Sequence, residues 1–143
     1  MSATASFPRR VDSLDAIFTF TSETFARDSI AQDLRPTVDF VLEELFTNVV
    51  KYGHPSASGV RVEVTKLPRG VEVTLTEEDA HRFDPTDSPD VDTTLPIQSR
   101  TPGGLGLHLI ARLVDSLEYR YDEGRREGRI TFRKTLSADK GGG

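Results

Sequence analysis

The chain has 143 residues, 36% of them hydrophobic and 29% charged, with a net charge of -5 at pH 7 and no cysteine. That length suits one domain whose core lies between a helix layer and a sheet, and the lack of cysteine excludes disulfide staples and thiolate metal sites. The negative charge argues against a protein that wraps nucleic acid. No apolar run of about eighteen residues or basic-then-apolar leader is present, so a cytosolic protein is expected.

Met1 to Arg10 read as a lead into a short edge strand around Ala5 to Arg9, where Pro8 suits an edge. Asp12 and Ser13 are good cap residues, and Val11, Leu14, Phe18, Thr21 and Phe25 recur at three- and four-residue steps. The spacing predicts a first helix to about Asp28. Its stripe reads as core, with a dimer seam as the alternative.

Pro36 suits the first turn of a second helix that stops at Gly53 and Pro55. Along it Val38, Val41, Leu42, Leu45, Phe46 and Val49 gather into one apolar arc, and Glu44 and Asn48, one turn apart, fall together at its edge. A carboxylate and a carboxamide are thus held side by side where protein meets cavity. Alone, that spacing is also what a solvated Glu and a boundary Asn look like.

Val60, Val62 and Val64 alternate with polar residues as a half-buried strand, Pro68-Arg69-Gly70 turns the chain, and Val71, Val73 and Leu75 form the antiparallel partner. The alternation then breaks at Glu77-Glu78-Asp79, three acids that repel one another unless a partner or water receives them. Residues 84–102, with Pro89, Pro96, Asp87, Asp90 and Asp92, read as a long lid.

Leu107, Ile110, Leu113, Val114 and Leu117 predict a third helix from near Gly104. Strands around Glu118 to Tyr121 and Arg129 to Leu136 follow, joined by a turn from Gly124 to Gly128, before a frayed polar tail. The single domain is expected to be an α/β (α+β) two-layer sandwich, with a mixed, mostly antiparallel sheet and the helices on one face.

Gly103, Gly104 and Gly106 strip side chains from a helix start, leaving free N–H groups and the positive end of the helix dipole together, an arrangement that takes anions and above all phosphate. No GxxxxGK[ST] accompanies them, and they do not follow a strand, which excludes the P-loop and the dinucleotide fingerprint. With phosphates there, the side-chain oxygen of Asn48 suits Mg²⁺. Glu44 suits a general base for an attacking hydroxyl, and the acidic step at Glu77 to Asp79 suits the exocyclic amine of adenine.

Taken in order, Glu44-Leu45-Phe46-Thr47-Asn48 resembles the N box, the acidic step ending in Phe83-Asp84-Pro85 a worn G1 box, and Gly103-Gly104-Leu105-Gly106-Leu107 the G2 box of the GHKL ATPases. Within that superfamily the chain is similar, over roughly residues 5–136, to the small anti-sigma factor serine kinases of the RsbW and SpoIIAB type. The resemblance implies a Bergerat-type fold that binds ATP with Mg²⁺ and phosphorylates serine on a STAS-domain anti-sigma factor antagonist. It also implies a homodimer that captures a sigma factor. Carried over, Glu44 is the general base, Asn48 the magnesium ligand, and Gly104 and Gly106 the phosphate-cradling glycines within a stretch that takes in Gly103, Leu105 and Leu107.

The G1 step departs from the family's Asp-x-Gly. Counting back from Phe83 puts Glu78 in the place of the Asp and Ala80 in that of the Gly, strand phase points to Glu77, and Asp79 is the only aspartate nearby. The alternative is therefore a non-catalytic module that keeps the fold and partner surface and binds ATP weakly or not at all.

Overall fold

The computed structural model describes residues 1–52, 59–78 and 104–136, with the backbone alone at 52 and 104–108. Asp79, Gly103, the expected lid at 84–102 and the polar tail lie outside the described residues.

Period-two alternation builds the sheet. In β2 (Val60–Leu67) and β3 (Gly70–Glu77), Val60, Val62, Val64, Val71, Val73 and Leu75 are at most 1% exposed, while Arg61, Glu63, Glu72 and Thr74 turn to the other face. One covered face and one wet face are what an antiparallel sheet tolerates. β1 (Ser2–Phe7) pairs with β2 at one edge, and β4 (Ser116–Asp122) pairs with β5 (Glu127–Thr135) at the other, giving the order β1-β2-β3-β5-β4. All four pairings are antiparallel, so among the described residues no parallel pair makes the sheet mixed.

Three helices, α1 (Leu14–Asp28), α2 (Arg35–Tyr52) and α3 (Gly104–Leu113), complete an α+β fold. The apolar arc of α2 is buried throughout, Val38 to Val49 being at most 2% exposed, and it packs on α1 and β3. Phe25, Phe46 and Phe132 are the largest fully buried side chains in this core. No helix among the described residues is long and apolar enough to cross a membrane.

Several boundaries differ from the sequence expectation, each for a local reason. β1 ends at Phe7 rather than Arg9, because Pro8 has no N–H for the ladder and its carbonyl instead accepts from Arg10 N (2.8 Å) in a turn. Val11 falls in a 3-10 turn ahead of α1 and is 48% exposed, and Ser13 Oγ donates back to Pro8 O (2.9 Å) instead of capping the helix. The buried stripe of α1 is therefore Ile17, Thr21, Thr24, Phe25 and Asp28, with Leu14 and Phe18 only half-buried. α3 stops one turn short of Leu117, since Asp115 N donates to Arg133 O (2.8 Å) and draws the chain into β4.

The two poles of the sheet differ. At one, Lys66 N donates to Met1 O (2.9 Å) and Leu136 N to Arg69 O (2.7 Å), beside the β2–β3 turn. At the other, one row crosses the sheet through Phe7, Val60, Glu77, Gly128 and Tyr121.

Candidate functional site

Helix phase delivers the acid and the amide. Leu45, Phe46 and Val49 point into the core, which leaves Asn48 buried at its margin (6% exposed) and Glu44 half-buried one turn earlier. Among the described residues no hydrogen bond or ion pair holds either head group. Buried amides ordinarily find partners, so one without a partner among the described residues is available to a ligand. α3 begins at Gly104 and packs against α2, which puts the start of a helix and the Glu44/Asn48 pair on neighbouring elements. The backbone of Gly104, Leu105, Gly106 and Leu107 forms the first turn of α3, where N–H groups lack intrahelical acceptors.

The acidic step resolves by strand phase. Glu77 continues the sequence Val71, Val73, Leu75, faces the helices and is 6% exposed. Glu78 lies on the opposite, open face, where its carboxylate accepts from Arg61 Nη1. Glu77 lines a cavity of about 10 Å³, on the order of one water in size, together with Val49, Val60, Leu75 and Tyr119. Val49 follows Asn48 directly, so this cavity and the amide share one turn of α2.

An arginine that sequence reasoning missed closes this corner. Arg9 Nη1 donates to Glu77 Oε2, with both side chains only 7% exposed. A carboxylate taken this far from water is tolerable only with a partner. Arg9 Nε and Nη2 are also buried and have no hydrogen-bond partner among the described residues. Because 68 residues separate the pair, no local pattern in the chain links them; the only hint was that three acids in succession needed a cation.

The donor set fits a magnesium nucleotide in one respect that can be checked on the residues themselves. Mg²⁺ takes hard oxygens and keeps waters, so one carboxamide oxygen and phosphate oxygens suffice. Among the described residues no three His, Cys, Asp or Glu side chains gather into an all-protein metal cage. Asn48 would hold the ion, and Glu44 lies within one helical turn of it, its carboxylate without a partner among the described residues.

A family model described as the histidine kinase-like ATPase domain matches residues 7–134 of the chain. A comparison with curated proteins gives no match.

Proposed function

The chain belongs to the histidine kinase-like ATPase domain family, and from that premise we propose that it is an ATP- and Mg²⁺-dependent protein serine kinase acting in a sigma-factor switch. Its substrate is a serine of a STAS-domain anti-sigma factor antagonist, and its second partner is a sigma factor held by a homodimer of the chain. The observation that carries the kinase reading is the carboxylate of Glu44, without a partner among the described residues, one turn before the buried amide of Asn48, on a helix that packs against α3, which begins at Gly104. The partners are supported by the likeness of the three boxes, in order and spacing, to the small serine kinases.

In this reading Asn48 Oδ1 would hold a Mg²⁺, which would supply charge to offset that of the phosphate oxygens. The N–H groups at the start of α3 orient the phosphates. Glu44 accepts the proton of the incoming serine hydroxyl as its oxygen bonds to the γ-phosphorus and the bond to the ADP oxygen breaks. Incubation with labelled ATP, Mg²⁺ and the antagonist is expected to place label on the antagonist. Absence of label, under conditions where the two proteins bind, would reject the kinase.

One observation favours a second reading, a partner-binding module without catalysis. Both described acids of the step that would meet adenine are already engaged, Glu77 by Arg9 and Glu78 by Arg61. That reading predicts no thermal stabilisation by millimolar ATP or ADP, because a ligand that binds only the folded state must stabilise it.

A further inference from the structure

The open face of the sheet carries its charges in rows. Strand register sets Glu63, Thr74, Thr131 and Glu118 side by side across β2, β3, β5 and β4. Two residues along each strand, on the same face, the next row is Arg61, Thr76, Arg129 and Arg120. One row is thus acidic at β2 and β4, and its neighbour is basic at those same two strands. Both rows line one shallow trough. Two features separate this face from an ordinary wet one. Arg120 stands directly opposite Arg129, a like-charge pairing that destabilises a sheet. Glu63 and Arg120, one from each row, have no ion pair or hydrogen bond among the described residues.

We propose that two copies of this chain associate through this open face, about a two-fold axis that runs along the rows, between the acidic one and the basic one. The inference bears on the homodimer of the proposed function and names its surface; phosphate transfer does not depend on it. Turning a copy over about that axis lays each row on the other, as a self-complementary interface requires. Glu63 then faces Arg61 of the second copy and Glu118 faces its Arg120, each contact occurring twice, while Thr74 faces Thr76. In the next rows outward Arg133 meets Glu127 of the second copy. Glu72 meets Glu78, but each of these is already held by an arginine of its own chain, Arg133 and Arg61. Charge rejects the other two-fold in the plane of the face: an axis along the strands between β3 and β5 would set Arg61 against Arg120 and Glu63 against Glu118. Stacked sheets stand about 10 Å apart, a gap that a glutamate and an arginine reaching from opposite sides can close. Five strands of up to eight residues cover roughly 600 Å² in projection, near the 800 Å² or so that each partner gives to a standard interface.

Sedimentation equilibrium of the full chain tests this. At low salt the chain is expected to be a dimer, and the dimer should dissociate as salt is raised toward 1 M, where screening acts within about 3 Å. Arg120→Glu or Glu118→Arg alone turns two attractions per dimer into repulsions, so either should weaken association at least about a hundredfold. An equimolar mixture of the two variants restores opposite charges at both contacts and should form mixed dimers as tight as those of the unaltered protein. Arg120→Glu also places an acid opposite Arg129 within its own chain, so the fold is not expected to suffer. A dimer that persists in both variants, or that 1 M salt leaves intact, forms through another surface and overturns the inference alone. Two folded variants that stay monomeric both apart and together overturn it as well. A monomer in the unaltered protein at low salt overturns the inference and removes the homodimer from the proposed function, while label transferred to the antagonist would leave the kinase standing.

Discussion

Asn48 and Glu44 sit one helical turn apart, and their expected losses differ in kind. In the proposed site Asn48→Ala removes the side-chain oxygen that would hold the metal, so nucleotide affinity and phosphate transfer should fall together. Glu44→Gln keeps size and hydrogen bonding but cannot take a proton, so transfer should fall by about 10² to 10⁴ while affinity stays within about twofold. Single-turnover transfer beside a binding titration separates the two outcomes. Asp28 gives a pH-dependent prediction away from the site. Arg27 donates to both of its oxygens (2.8 and 3.0 Å), and this hydrogen bonding holds the carboxyl below its usual range despite its burial. A carboxyl whose pKa is lowered by folding adds stability above the unfolded value of about 3.9, and that stability is lost as pH falls toward and through the lowered value. The melting temperatures of the protein and of Asp28→Asn should therefore differ most near neutral pH and converge below about pH 4. Glu44 and Asn48 were legible because helix phase is a local property of the chain. Arg9 was not, because the pole of the sheet where it meets Glu77 is assembled from β1, β2 and β3.

At the level of elements, two backbone positions test whether the strands and helices are held as described. α1 ends on Ser29 at φ 58° and ψ 43°, with Ser29 N and Ile30 N both donating to Phe25 O. This is the left-handed cap that glycine occupies at no steric penalty, so Ser29→Gly should stabilise the fold by roughly 1 kcal/mol, read from denaturant midpoints. Gly70 opens β3, and a Cβ there would fall 2.2 Å from Lys134 O and 2.7 Å from Thr135 Cα, both backbone atoms. Gly70→Ala should accordingly lower stability by about 1–3 kcal/mol, because the β3–β5 ladder must open to admit a methyl group. Element type was readable wherever one periodicity ran unbroken, as in β2, β3 and α2. Ends were misread where a backbone group found a partner far away, as Asp115 did in Arg133 and so cut α3 short.

For the whole molecule, a ligand that bridges α2 and α3 binds the folded chain and not the unfolded one. At one hundred times its dissociation constant, a nucleotide with Mg²⁺ should add about 2.7 kcal/mol, a rise in melting temperature of roughly 5–10 °C. Chelating the metal should remove part of that rise in the unaltered protein and none of it in Asn48→Ala. The two-layer arrangement was legible from the order of elements alone, since short antiparallel strands interspersed with amphipathic helices have few ways to bury their apolar faces. What the chain did not disclose was which faces of the acidic step meet which arginines, because a strand's last residues choose their side by pleat and a single step reverses the choice.

Met1 and Leu136 both attach beside the β2–β3 turn, whereas Glu77 lies at the opposite pole, seven steps along β3 or about 23 Å at strand rise. A fluorophore, an affinity handle or a sensor-chip tether grafted at either of these residues would accordingly hang clear of Asn48 and Arg9. Immobilised and dye-labelled preparations should report the same nucleotide affinities as the bare protein.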